Sequence, residues 1–318
     1  MLTQPPFGII PAMVTPLTAG DEVNLAALRR LTDYLIEGGS HAVFATGSQG
    51  EFWAFNADEK RRVWETVVET ARGRVPVYAG TAAVTTREAI VLTKMAEKAG
   101  VDAVSVLTPY FISPNDNQLF DHYRAVAEAT ALPVLLYTNP ARTGVKLSVD
   151  VVVRLAEIEN IVGIKDSSGD LELTAEYIRT APSKFSVLMG RDTLIYAALT
   201  YGAKGAIAAT ANVKPSLVAS IYDRFIAGDL PGALQAQRDL APLRLAFGWG
   251  TFPVVIKEAL DLMGMDAGPS RAPVGPLSPE QRERLAGVLR QMGLLEPVDR
   301  ASSRFAPPGG HPVGEAAR

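Results

Sequence analysis

With 318 residues, 47% of them hydrophobic and 20% charged, the chain has the composition of an ordinary globular protein and enough length for a large core. A formal net charge of −3 gives no bulk attraction to nucleic acid or to anionic membranes, so neither is expected as a partner. There is no cysteine, which excludes disulfides, thiol nucleophiles and Cys-ligated zinc and fits a reducing cytoplasm. The start, MLTQPPFGII, lacks the basic and long apolar regions of a secretory signal, and no apolar run approaches the roughly 20 residues of a membrane helix.

In chain order, short apolar runs alternate with amphipathic stretches. The runs are GIIPAMV (8–14), HAVFAT (41–46), VPVYAG (75–80), VDAVSVL (101–107), LPVLLY (132–137), IVGIK (161–165), FSVLMG (185–190) and AKGAIA (203–208). Most are nearly continuous rather than alternating, as strands covered on both faces are. Helix signals lie between them. Leu25, Leu28, Leu31 and Leu35 form one stripe, and Asn56 with Glu59 and Thr85 with Glu88 have the spacing of capping boxes. Eight strand–helix units predict an α/β fold, a (β/α)8 TIM barrel over residues 1–226. An open doubly wound sheet is the alternative, disfavoured because no GxGxxG follows the first strand. Further helical segments at 214–227, 229–246 and 252–263, and one opening at Ser278-Pro279-Glu280-Gln281, predict additional C-terminal helices, an extension over 227–296. Residues 297–318, rich in Pro, Gly, Ser and Ala, are predicted to be a disordered tail.

In such a barrel, functional groups gather where the strands end. The second strand runs into Thr46-Gly47-Ser48-Gln49-Gly50-Glu51. The fifth ends on Tyr137 before Thr138-Asn139-Pro140-Ala141-Arg142-Thr143-Gly144, and the sixth ends on Lys165 before Asp166-Ser167-Ser168-Gly169. A lysine at a strand end is most often a solvated charge. Desolvated in a barrel mouth, an ammonium loses its proton more readily, and the neutral amine attacks a ketone. The glycines around Ser48 and Gln49 serve either a tight turn or a nest of N–H groups for a carboxylate. Tyr137 alone reads as a rim packing residue. Arg142 alone reads as a surface charge, although its fork suits a carboxylate. His41, His122 and His311 are far apart and without ligand spacing, so no metal site is predicted.

Together, GSQGE, YTNPARTG and GIKDSSG, in this order on strands two, five and six, resemble the dihydrodipicolinate synthase and N-acetylneuraminate lyase family. GIIPAMVTPL, LTPYF and GAIAATANV extend the resemblance along most of the chain. The resemblance implies a class I aldolase or lyase that forms a Schiff base with pyruvate or a close 2-keto acid and needs no cofactor or metal. On it, Lys165 is the Schiff-base lysine, Tyr137 the proton-shuttling tyrosine and Ser48 its relay partner. Gly47, Ser48 and Gln49 hold the pyruvyl carboxylate, Arg142 receives a second carboxylate, and Gly190 and Ile207 line the pocket. A homotetramer of tight dimers is also implied.

The chain departs from the synthase branch in three places. Ser48 and Gln49 stand where two threonines are usual. Phe111 stands where many members carry a second relay tyrosine, donated across a subunit interface. Trp53, Ala57, Lys60 and Val84 replace the small, His, His and Asn residues of the family's lysine feedback site, while Glu88 and Tyr110 match it. These departures give preference to an aldolase that releases pyruvate from a 2-keto-3-deoxy sugar acid or a 4-hydroxy-2-oxo acid. The alternatives are 4-hydroxy-tetrahydrodipicolinate (dihydrodipicolinate) synthase, a dehydratase or deaminase of the same family, and a non-catalytic binding protein on the same barrel. The last is disfavoured because Lys165, Tyr137 and a hydroxyl at residue 48 occur together.

Overall fold

The structure is a computed structural model that describes residues 5–296. Its strands are β1 (Gly8–Pro11), β2 (Val43–Ala45), β3 (Val77–Gly80), β4 (Ala103–Leu107), β5 (Val134–Thr138), β6 (Ile161–Asp166), β7 (Ser186–Met189) and β8 (Gly205–Ala208). All pair in parallel in the order β1-β8-β7-β6-β5-β4-β3-β2. The sheet closes on itself through a bridge between Ala12 and Phe44, where Met13 N–H donates to the Phe44 carbonyl at 2.9 Å. The result is the predicted (β/α)8 barrel.

Around the strands run α1 (Leu25–Glu37), α2 (Ala57–Ala71), α3 (Thr86–Lys98), α4 (Asp116–Glu128), the single turn α5 (Pro140–Thr143), α6 (Val149–Leu155), α7 (Leu171–Thr180), α8 (Ile195–Tyr201) and α9 (Pro215–Ile226). The extension contributes α10 (Leu230–Ala246), α11 (Val254–Leu262) and α12 (Pro279–Gln291). Local chemistry sets the helix starts. Asn56 accepts from Glu59 N at 2.9 Å while Glu59 accepts from Asn56 N at 2.8 Å, and Ser278 and Gln281 exchange bonds in the same way. Each such cap stabilises its helix by about 1 kcal/mol. Thr85 caps α3 by accepting from Glu88 N, without the reciprocal bond that its spacing predicts.

Alternation along the strands divides the core into two shells. Ile10, Phe44, Tyr78, Leu135, Leu188 and Ile207 pack around the barrel axis, while Ile9, Val43, Val134, Leu136, Ile164 and Val187 pack against the helices. At the C-terminal ends of the strands Phe52, Ala82, Leu107 and Tyr137 add a small apolar layer under the loops. The extension is tied to that end by Lys257 of α11, which is 1% exposed and donates to Glu51 Oε1 at 3.0 Å, Thr15 O at 3.0 Å and Pro269 O at 2.6 Å. Among the described residues, no helix is long and apolar enough to cross a membrane. The predicted disordered tail, 297–318, lies outside the described residues.

Candidate active site

β5 and β6 pair in a register that sets Tyr137 opposite Lys165. Paired residues on neighbouring strands project to the same face, here the barrel mouth. Lys165 is 4% exposed, and its Nζ lies 4.2 Å from the centroid of the Tyr137 ring and 5.3 Å from that of Phe44. Among the described residues it forms no ion pair, so aromatic faces rather than a carboxylate hold the amine. The Tyr137 hydroxyl lies 3.4 Å from Ser48 Oγ and accepts from Asn139 Nδ2 at 3.1 Å. Burial pushes the Tyr137 pKa up. The Lys165 charge and the hydrogen bonds from Ser48, Asn139 and Ser167 outweigh that burial and leave it below the ordinary tyrosine value.

The loop after β2 is held in a strained shape. Thr46 and Glu51 have φ of +51° and +56°, in the left-handed region that side chains rarely enter. Trp64 Nε1 donates to Thr46 Oγ1 at 2.6 Å, Thr15 Oγ1 donates to Gly50 O at 2.8 Å, and Glu51 takes the Lys257 ammonium and Arg271 N–H. Residue 47 must be glycine because a Cβ there would lie 2.6 Å from the Phe44 ring. The loop leaves the amides of Ser48 and Gln49 without an acceptor among the described residues. Two such N–H groups side by side suit a carboxylate. Gln49 is 3% exposed, and both polar atoms of its side chain lack a partner. Each unmade bond costs about 1–3 kcal/mol.

A cavity of about 380 Å³ opens here, a size typical of small-molecule sites. Of the predicted site residues, Ser48, Gln49, Tyr137, Arg142, Lys165, Gly190 and Ile207 all line it. Gly47 does not, because it sits behind the loop against Phe44. Gly190 allows the β7 end to press on the site: a Cβ would fall 2.0 Å from Ser167 Oγ. Sequence reasoning missed Asn139, Ser167, Arg191, Arg244, Phe247 and Phe252, which also line the cavity. Asn139 and Ser167 carry a signal, since each stands two residues after Tyr137 or Lys165, the spacing of one strand face. Arg244, Phe247 and Phe252 come from the extension and carry no local signal. Among the described residues, no group of three or more His, Asp or Glu could hold a metal ion.

Two departures from the synthase pattern now have a place. Phe111 is 96% exposed at a φ of +73°, and its ring carries no hydroxyl. Lys60 is buried with its Nζ 5.8 Å from the centroid of the Phe52 ring, and burial lowers its pKa against the raising effect of Glu88.

Residues 5–292 match the Dihydrodipicolinate synthetase family. The chain belongs to that family. With it, the chain belongs to the class I lyases that use pyruvate through a Schiff base. A 4-hydroxy-tetrahydrodipicolinate synthase 1 of Halalkalibacterium halodurans is 39% identical over 277 residues, covering 87% of this chain and 94% of the relative. A 4-hydroxy-tetrahydrodipicolinate synthase of Geotalea uraniireducens is 40% identical, covering 91% of this chain and 99% of its own. A chloride-inhibited dihydrodipicolinate synthase from Acinetobacter baumannii, solved with pyruvate, is 38% identical with a TM-score of 0.88 over 91% of this chain and 99% of its own.

Proposed function

We propose that this family member condenses pyruvate with an aldehyde through a Schiff base on Lys165, in the manner of 4-hydroxy-tetrahydrodipicolinate synthase. The observation that carries this reading is the register pair of Tyr137 and Lys165: a buried amine lies against the ring of a tyrosine whose hydroxyl faces Ser48. The Lys165 amine adds to the ketone carbon of pyruvate, and the ketone oxygen leaves as water, giving an iminium. The methyl carbon then loses a proton to form an enamine. That carbon attacks the aldehyde carbon and the aldehyde oxygen gains a proton. The amino group of the aldehyde substrate, or water where it has none, then adds to the iminium carbon, and the Lys165 amine leaves with a proton, free for the next turnover. Tyr137 and Ser48 carry the protons, work that positioned acid–base groups typically reward with about 10²–10⁴-fold in rate. The amides of Ser48 and Gln49 hold the pyruvyl carboxylate without reorganising during the reaction. Arg142, at the cavity rim, receives a carboxylate on the aldehyde side.

Relatives of 39–40% identity named as synthases favour that outcome over the sugar-acid cleavage preferred from the sequence. Under the resemblance the aldehyde is aspartate semialdehyde. Cleavage of a hydroxylated 2-keto acid is the second reading, and Gln49 supports it, because a substrate hydroxyl that reached the carboxamide would satisfy a group that lacks a partner. Trp53, Phe111 and Ile112 leave apolar surface open near Tyr110, which suits burial between copies of the chain and the tetramer that the resemblance implies. The reaction belongs in the cytoplasm.

Borohydride added with pyruvate is expected to leave a reduced pyruvyl group on Lys165, read by peptide mass spectrometry. An unmodified Lys165, or labelling of a different lysine, refutes the assignment. Turnover of pyruvate with aspartate semialdehyde, set against pyruvate release from 2-keto-3-deoxy sugar acids, separates the two readings.

A further inference from the structure

Three arginines line this same cavity, and none has a carboxylate opposite it among the described residues. Arg142 stacks on Phe252 with its guanidinium carbon 4.3 Å from the ring centroid, and Arg244 stacks on Phe247 at 5.1 Å. Stacking fixes a guanidinium plane and leaves its N–H edge unsatisfied. Arg191 is anchored by one bond only, from Nε to Ser167 O at 2.9 Å, so its two terminal nitrogens stay available. The acids nearby are already engaged. Asp192 accepts from Thr210 N at 2.7 Å and Thr210 Oγ1 at 2.6 Å, while Asp166 accepts from Thr174 Oγ1 at 2.6 Å and Ser168 N at 2.9 Å. Three guanidinium groups therefore line the same cavity as Ser48 and Gln49, whose amides the proposed reaction assigns to the pyruvyl carboxylate.

We infer that Arg191 and Arg244 form a second anion subsite beside Arg142, and that the aldehyde taken best by this pocket bears a dianionic acid group at its far end, a phosphate ester or a pair of carboxylates. A single carboxylate offers two oxygens and one charge to three guanidinium groups. A dianion matches more of the donors and more of the charge. Arg244 lies on α10 and Arg191 just after β7, so the two close the subsite from the extension and from the barrel. The inference rests on the Schiff-base reading, because Lys165 decides which end of the cavity pyruvate fills.

The test uses the full chain after pyruvate has been fixed on Lys165 by borohydride, which blocks the keto-acid end and leaves the aldehyde end open. Inorganic phosphate, malonate and uncharged glyceraldehyde are then titrated in turn by calorimetry. One phosphate or one malonate is expected to bind per chain, at least 10-fold more tightly than glyceraldehyde, and the stronger of the two anions shows which acid the subsite prefers. Arg191→Met and Arg244→Met are each expected to weaken the anions by about 10–100-fold, the range for losing a charge-assisted hydrogen bond. Arg244→Lys, which keeps the charge and loses the fork, should fall between wild type and Arg244→Met. Glyceraldehyde bound as tightly as the anions, or anion binding indifferent to both Met variants, overturns the inference. If no pyruvyl adduct forms at all, the Schiff-base reading fails instead, so the two failures are distinguishable.

Discussion

Replacing Lys257 by methionine should damage the protein from a distance of many residues along the chain. Lys257 and Glu51 are 1% and 0% exposed, so neither charge has water to fall back on. Methionine keeps the length of the side chain and removes the ammonium. Glu51 is left with Arg271 N–H at 3.0 Å as its partner, and the carbonyls of Thr15 and Pro269 lose a donor. Breaking one side of a buried pair costs about 3–5 kcal/mol, because the remaining charge stays desolvated. That is a large share of the roughly 5–15 kcal/mol by which domains are stable. Urea unfolding at pH 7 should show the loss as a lower midpoint at an unchanged slope. The double variant Lys257→Met with Glu51→Gln should recover part of it, since no buried charge is then left alone. The pair also pins the loop that carries Ser48 and Gln49, so the single variant should raise KM for pyruvate more than it lowers kcat. A loss below about 1 kcal/mol, or a double variant no more stable than the single, would refute the reasoning.

Tyr137→Phe removes the hydroxyl between Ser48 and Asn139 and should lower kcat/KM by about 10²–10⁴-fold while the pyruvyl adduct still forms slowly on Lys165; a loss under 10-fold contradicts the relay. Burial lowers the His122 pKa from 6.5 to about 4, so between those values the unfolded chain binds the proton and the folded chain does not. Stability should therefore fall as pH drops from 6.5 towards 4, by roughly 3 kcal/mol in all, and His122→Gln should flatten that part of the urea-derived pH curve; parallel curves would exclude the histidine as the cause. Millimolar L-lysine should leave the rate unchanged, because the Lys60 cation already stands beside Phe52 near Glu88, and a saturable inhibition curve would overturn this.

The barrel was readable because parallel strands are buried on both faces, so each announces itself as an apolar run such as VDAVSVL or LPVLLY. The strand-borne half of the site was readable for a related reason. Lys165 and Tyr137 end strands whose other inward residues are apolar or glycine, and although each alone reads as a solvated charge or a packing residue, the motifs GSQGE, YTNPARTG and GIKDSSG in one order carry the resemblance that points to them. Closure between Ala12 and Phe44 left no mark in the sequence, because a bridge between the first and second strands depends on the twist accumulated by all eight. Arg191 and Arg244 were illegible as partners for the same kind of reason. Nothing local says that a residue after β7 and one late in α10 face the same cavity. Gln49 stood out in the sequence as a departure from threonine, but its lack of hydrogen-bond partners became visible only once the loop after β2 had its shape.

The way the cavity wall is shared between two stretches of chain has a consequence for how this protein can change. Strand ends and the loop after β2 hold the amine, the hydroxyls and the amides to which the proposed reaction assigns its chemistry. Arg244, Phe247 and Phe252, which line the same cavity, belong to the extension. The extension thus supplies one part of the guest-facing wall, and Arg142 and Arg191 of the barrel supply the rest. Substitutions between 244 and 252 can alter which aldehyde is admitted while the covalent step at Lys165 continues undisturbed. Lys257 and Arg271 couple the segments, one to Glu51 and the other to Asp21 and Glu59, so an extension transplanted from a relative would carry its preference across best if it also brought both cations to those acids.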